Sequence, residues 1–210
     1  MKREEILEII KDSKIVVVIR MKEQQQVAKV IDALVKGGIK TLEVTSNTPG
    51  YLEEISKART KYPNTLIGAG TVTNANKAKD SVNAGAQFLV TPNTNIETIK
   101  VAHENNIPVL MGAITPSEIS MAAEAGADIV KIFPAGAMGI KYFKAVKAPL
   151  SDIPLFAVGG IDENSAADWI TAGAEGLGIG GGLTKVVNSE SDFNDIVTLS
   201  KKYLSILNEK

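Results

Sequence analysis

The sequence predicts an α/β chain of eight strand–helix units closed into a (β/α)8 barrel, with one extra helix in front. Three observations predict it. Short apolar runs alternate with amphipathic segments along the whole chain. The tripeptide Ala-Gly-Ala recurs at 84–86, 125–127 and 172–174, each time between a helical pattern and the next apolar run. And the 210 residues accommodate eight such units with almost nothing spare, so residues 1–210 are expected to form one domain.

Each element follows from local pattern. Residues 2–11 read as a helix, with Ile6, Ile9 and Ile10 at helical spacing. The β-branched run 15–20 reads as a buried strand. Residues 24–36 carry Val27, Val30, Ile31 and Leu34 on one helical face and stop at Gly37-Gly38, a C-terminal helix signal. Residues 41–45 form the second strand. Helices are expected at 51–61, 74–84, 96–105, 116–125, 140–147, 163–172 and 193–207. Strands are expected at 66–69, 88–90, 108–111, 129–133, 154–158 and 177–179. The Ala-Gly-Ala glycines read as helix C-caps that turn the chain into the following strand. Repeated βα units imply parallel strands with right-handed crossovers. An open doubly wound sheet is the competing architecture, but no G-x-G-x-x-G follows the first strand.

Composition narrows the chemistry. Lys and Arg total 23 against 24 Asp and Glu, for a net charge of -1. No global basic excess points to nucleic acid or an anionic membrane as a partner. There are no cysteines and one histidine, His103. Disulfide frameworks, thiolate metal sites and thiol nucleophiles are excluded, and no metal or cofactor is expected. The N-terminal segment is charged on both sides of its apolar residues, unlike a signal peptide, and the longest apolar run is five residues, Ile15–Ile19. A cytoplasmic protein is the expectation.

Barrel strands are buried on both faces, so charges inside them require a reason. Lys131 lies in mid-strand between Val130 and Ile132. Alternation places Ile129, Lys131 and Phe133 on one face, directed into the barrel. Burial lowers the pKa of an amine, and a neutral amine attacks carbonyls to form imines. A structural ion pair or a phosphate clamp is the alternative. By the same parity Glu43 shares the inward face with Thr41 and Thr45. It is a candidate proton shuttle, or a plain salt-bridge partner of Lys131. Arg20 ends the first strand, at the face where barrel active sites lie, and suits a carboxylate or phosphate; a surface arginine is the alternative. Gly159-Gly160 end the seventh strand, and Gly178, Gly180, Gly181 and Gly182 end the eighth. These strand ends form the recurrent phosphate site of barrels, where glycine backbone N–H groups approach an anion. The stretches 68–71 and 91–93 leave room for a ligand or are ordinary turns. His103 reads as a surface or helix-packing residue, and Trp169 as core.

Together the motifs Leu42-Glu43-Val44-Thr45, 67–72 (IGAGTV), 89–92 (LVTP), 130–134 (VKIFP), 156–161 (FAVGGI) and 178–181 (GIGG) resemble the 2-keto-3-deoxy-6-phosphogluconate and 6-phosphogalactonate aldolases. The resemblance runs from about Ile15 to Leu183. It implies the (β/α)8 fold, a homotrimer, and class I cleavage of a phosphorylated keto-deoxy sugar acid to pyruvate and glyceraldehyde 3-phosphate. It implies Lys131 as the Schiff-base lysine and Glu43 as the general acid/base. Thr71 matches a threonine near the pyruvoyl end, and Pro92 and Phe133 match pocket-lining positions. Arg20 and the pairs Gly159-Gly160 and Gly180-Gly181 match anion and phosphate contacts.

The chain departs from the gluconate pattern in places. Asn47 stands where those enzymes often carry arginine, Val158 where threonine is common, and Gly182 where serine is common. Asn47 and Val158 resemble the galactonate branch, so both are expected on the substrate side of the site, with the galactonate epimer or mixed specificity favoured. A different phosphate-binding barrel enzyme, an isomerase or epimerase, and a non-catalytic sugar-phosphate sensor are the competing functions.

Overall fold

A computed structural model describes residues 1–209. In chain order the elements are α1 (Arg3–Ser13), β1 (Ile15–Ile19), α2 (Gln24–Lys36), β2 (Thr41–Thr45), α3 (Tyr51–Lys61), β3 (Leu66–Gly70), α4 (Ala75–Asn83) and β4 (Leu89–Val90). They continue with α5 (Ile96–Glu104), β5 (Val109–Ala113), α6 (Pro116–Glu124), β6 (Ile129–Ile132), α7 (Ala135–Lys147) and β7 (Leu155–Val158). Last come α8 (Ala166–Thr171), β8 (Gly176–Ile179), a short 3-10 helix (Gly181–Thr184) and α9 (Glu190–Asn208). The eight strands of the described residues pair in sequence order, all parallel, and β8 closes on β1. The barrel with its leading helix is therefore the architecture the sequence predicts.

The expected helix-to-strand turns are present. Gly38, Gly85, Gly126 and Gly173 all lie in the left-handed region, at φ of 91° to 100°. After α4, Gly85 N–H donates to Val82 O and Ala86 N–H to Ser81 O. That is the Schellman pattern, which satisfies the last helical carbonyls while reversing the chain. The same bonds recur after α2, α6 and α8, and after α5 with Asn106 in the glycine's place.

Register and parity are consistent around the closed sheet. Val18 pairs with Glu43, Glu43 with Gly68, Gly112 with Lys131, Lys131 with Phe156, and Phe156 with Gly176. Glu43 and Lys131 therefore lie on the inward face, as alternation predicts. The outward set, including Val17, Leu42, Val44, Ile67, Val130, Ile132 and Leu177, is buried under the helices. Inside, bulk and space alternate. A Cβ built on Gly68 would come 2.6 Å from the Phe88 ring, and one on Gly176 would collide with the Phe156 ring. Each ring fills the barrel only because its neighbour has no side chain. Burying each phenylalanine contributes about 1.5–3 kcal/mol. Helix α1 contacts β1 and β2 while its Arg3 reaches Asp128, just before β6, at 3.3 Å. It thus lies across the N-terminal end of the barrel. Asp128 also accepts from Val109 N–H and pairs with His103 at 3.1 Å, so His103 is a packing residue. Trp169 is core, edge-on to Phe143.

Several boundaries differ for identifiable reasons. Strand β1 stops at Ile19 and β6 at Ile132, which places Arg20 and Phe133 just beyond the ladder. Helix α8 starts at Ala166 because the Asp162 carboxylate takes the N–H groups of Asn164 and Ser165 and the Ser165 hydroxyl, holding a turn there. Helix α7 is broken at Gly139, with φ of 82°; the regular part begins at the expected residue 140, and one extra turn precedes it. Helix α9 starts earlier than expected, fixed by a Ser189–Asp192 capping box. The Gly181–Thr184 helix has no counterpart in the expected elements, because its glycine-rich sequence carries no helical pattern. No helix of the described residues is long and apolar enough to cross a membrane.

Candidate active site

At the C-terminal end of the barrel lies a cavity of about 260 Å³. Its floor is Lys131 from β6, its sides are Val18 from β1, Val158 from β7 and Gly178 from β8, and its rim is Arg20, Phe133, Gly159, Gly160, Ile161, Gly180 and Gly181. Nine of the residues singled out in the sequence thus converge on one space. Val18 and Ile161 line it too. Val18 was legible in principle, since it is two residues before Arg20 and shares its parity. A cavity of about 290 Å³ near Asp12, Lys40 and Asn208, at the opposite end, holds no comparable set of buried charges.

Lys131 is 5% exposed. Burial, the largest effect, pushes its amine below the ordinary value; the Glu43 carboxylate opposes this and the Arg20 guanidinium adds to it. Its Nζ lies 4.9 Å from the centroid of the Phe133 ring. Glu43 is 1% exposed. Burial pushes its carboxyl up, against the pull of Lys131 and Arg20. Its Oε2 is buried with no hydrogen-bond partner among the described residues. No ion pair joins Lys131 to Glu43, so the simple salt-bridge alternative does not describe this pair. An amine and a carboxyl, each desolvated, neighbouring and not locked together, can exchange protons with a third molecule.

Glycines create the space for these groups. A Cβ on Gly70 would collide with the Glu43 carboxyl, and one on Gly178 would lie 2.6 Å from the Val158 side chain. Gly68 and Gly70, whose stretch reads in the sequence as room for a ligand or an ordinary turn, make room for Phe88 and Glu43. The Phe133 ring sits under Gly159, where an added Cβ would be 3.0 Å away. Gly136 N–H donates to Gly159 O at 2.8 Å, which ties the start of α7 to the glycine pair.

Arg20 is held from both sides. The Thr45 hydroxyl donates to Ile19 O at 3.1 Å and the Thr48 hydroxyl accepts from Met21 N–H at 3.2 Å, with 3.0 Å between the two hydroxyls. Both peptide groups flanking Arg20 are thereby fixed. Its Nη2 donates to Thr71 Oγ1 at 3.4 Å. Thr71 has a positive φ of 56°, and Ser46 Oγ donates to its carbonyl at 2.7 Å. The contributions of Thr48 and Ser46 escaped the sequence reading, since a hydroxyl that bonds the main chain of another strand leaves no local signature.

Of the expected site residues, Glu43, Thr71, Asn47 and Pro92 are not in the lining; Glu43 is enclosed in β2, and Thr71 meets the lining through Arg20. Asn47 is exposed on the turn after β2 and does not line the cavity. Pro92 is half-buried beside Gly112, where its main chain would block any side chain, and also lies outside the lining. Its neighbour Thr91 is fully buried, with its hydroxyl bonded to Asn93 O, Gly112 N–H and the Met111 sulfur. The 91–93 stretch is thus held by turn chemistry. No group of three or more Asp, Glu or His among the described residues is arranged to hold a metal ion.

Residues 6–199 match the family model "KDPG and KHG aldolase". The chain is 38% identical over 161 residues to the 2-dehydro-3-deoxy-6-phosphogalactonate aldolase of Escherichia coli (strain K12), covering 76% of this chain and 78% of that protein. A solved structure described as native KDPGal superposes with a TM-score of 0.86 at 32% identity, over 93% of this chain and 94% of the other. A KDPG aldolase from Legionella pneumophila, with pyruvate captured as a covalent carbinolamine, superposes with a TM-score of 0.80 at 26% identity, over 95% and 97% of the two chains.

Proposed function

The chain belongs to the KDPG and KHG aldolase family, and from that premise we propose how its residues divide the work of a class I aldolase. The enzyme is a lyase that cleaves a 2-keto-3-deoxy-6-phospho sugar acid to pyruvate and glyceraldehyde 3-phosphate. Neutral Lys131 attacks the C2 ketone and forms a carbinolamine, then an imine with loss of water. The protonated imine withdraws electrons from the C3–C4 bond. Glu43 takes the proton from the C4 hydroxyl as that bond breaks, and glyceraldehyde 3-phosphate departs. The remaining enamine takes a proton at C3, and water releases pyruvate and the free amine.

The observation that carries this assignment is the desolvated Lys131 amine on the cavity floor beside a desolvated, unpaired Glu43. Arg20 and Thr71 face the anionic pyruvoyl carboxylate. The backbone of Gly159, Gly160, Gly180 and Gly181 at the rim holds the phosphate at the far end. That remote binding energy positions the reacting carbons. Phe133 and Val158 supply the apolar wall, and Asn47 and Pro92 stand outside it.

Val158 on the wall supports the galactonate epimer or mixed specificity, as does the 38% identity to a phosphogalactonate aldolase. The reading extends to a homotrimer in the cytoplasm, in keeping with the family. Side-by-side turnover of 2-keto-3-deoxy-6-phosphogalactonate and 2-keto-3-deoxy-6-phosphogluconate, measured as pyruvate release, tests the function. Cleavage of the galactonate epimer at a kcat/KM equal to or above that of the gluconate epimer is expected. Turnover of neither contradicts the assignment.

A further inference from the structure

Thr71 is a β-branched residue in the left-handed region, with φ of 56°. Such a conformation is a genuine outlier for its residue type and persists only where the surroundings enforce it. The enforcement comes from one residue on the neighbouring strand end. Ser46 N–H donates to Gly70 O at 2.8 Å, and Ser46 Oγ donates to Thr71 O at 2.7 Å. The carbonyl before the Thr71 Cα and the carbonyl after it are thus both held by Ser46. On the far side, Val72 N–H donates to Val90 O at 3.1 Å and returns the chain to its course. With its backbone clamped this way, Thr71 meets the Arg20 guanidinium with its hydroxyl, linking the end of β3 to the end of β1 at the cavity mouth.

We propose that Ser46 is a positioning residue of this enzyme: its hydroxyl holds the Thr71 carbonyl, fixes the left-handed turn, and so aims the Thr71 hydroxyl at Arg20, where the pair binds the carboxylate of the pyruvoyl group. The proposal rests on the aldolase reading above. Ser46 itself touches no reacting atom. Without its hydroxyl, Thr71 relaxes toward ordinary extended backbone and its own hydroxyl leaves Arg20. The cost falls on carboxylate affinity, since Lys131 stands on β6 and the Ser46 hydroxyl bonds the Thr71 carbonyl, not Glu43.

The test is a double-substitution cycle read by borohydride trapping of pyruvate and by steady-state cleavage. Ser46→Ala is expected to raise the half-saturating pyruvate concentration, and KM for the sugar acid, by about threefold to tenfold, the range one lost hydrogen bond gives. Its kcat stays within about twofold of the parent, because the imine-forming machinery is untouched. Ser46→Thr, which keeps the hydroxyl, restores affinity. In a Thr71→Val background, Ser46→Ala adds nothing further. An unchanged half-saturation in Ser46→Ala, or its full effect on top of Thr71→Val, overturns the proposal, and denaturation of each variant separates loss of fold from loss of positioning. Absence of trapped pyruvate in the unsubstituted protein would instead overturn the aldolase reading itself, and this inference with it.

Discussion

The Glu43 carboxyl occupies the space that a side chain at position 70 would need: a methyl group on Gly70 collides with it. Gly70 has no positive φ, so alanine fits its backbone, and the nearest atoms the new methyl group meets are those of Glu43. Gly70→Ala is expected to displace the carboxyl and lower kcat by about 100-fold, the lower range for loss of a general acid/base. Pyruvate trapping at Lys131 should survive. Steady-state assays check this, and a kcat near that of the parent contradicts the role given to Glu43.

The electrostatics around Lys131 predict opposite pH shifts for two substitutions. Imine formation requires the neutral amine, so trapping slows as pH falls through the folded-state pKa of Lys131. The Glu43 carboxylate raises that pKa and Arg20 lowers it. Glu43→Gln should therefore move the acid limb of the trapping rate to lower pH, and Arg20→Met should move it to higher pH. The limbs are measured at saturating pyruvate, so that weakened binding in the arginine variant does not enter. Coincident limbs in all three proteins contradict the arrangement.

Phosphate binding at the rim predicts a separation of affinities. Gly160 has a φ of 74°, and a Cβ there would lie 3.2 Å from Gly136 Cα. Gly160→Ala strains the turn and shifts its N–H groups. KM for the phosphorylated substrate is expected to rise about tenfold, or about 1.4 kcal/mol. Half-saturation by pyruvate, which carries no phosphate, should stay unchanged. Equal loss for both ligands would place the phosphate elsewhere.

The buried hydroxyl pair behind Arg20 predicts a combined effect on stability and binding. Thr48→Val removes the acceptor for Met21 N–H and is expected to cost about 1–3 kcal/mol, the penalty for stranding a buried donor. It also frees one of the two peptide groups that fix Arg20, so pyruvate affinity should fall. Thr48→Ser should recover both. Urea denaturation and the trapping titration check them together; a stable variant with normal affinity contradicts the clamp.

The barrel was legible because its signals are local and periodic. Helical spacing, β-branched runs and the capping glycines at 85, 126 and 173 each act within a few residues. Lys131 and Glu43 were legible for a related reason: a charge inside a two-face-buried strand violates the strand's pattern, and such violations mark sites. The 3-10 helix at Gly181–Thr184 was not, because it rests on the surrounding fold and not on helix propensity. Nor were the contacts of Ser46 to Thr71 and of Thr48 to Met21, which join residues 25 and 27 positions apart. Gly70 reads as room for a ligand or as a turn because sequence shows an absent side chain without showing which neighbour fills its place. Asn47 was assigned to the substrate by resemblance, and its exposure on the turn after β2 is set by chain geometry that spacing alone does not reveal.

The central claim is that Lys131 forms a covalent imine with the keto acid. Incubation with pyruvate and borohydride, followed by peptide mass mapping, tests it most directly. The account predicts a reduced pyruvyl adduct on Lys131, dependent on pyruvate and absent from a folded Lys131→Met variant that has also lost turnover. An adduct on another lysine, or none on folded protein that turns substrate over, would contradict it.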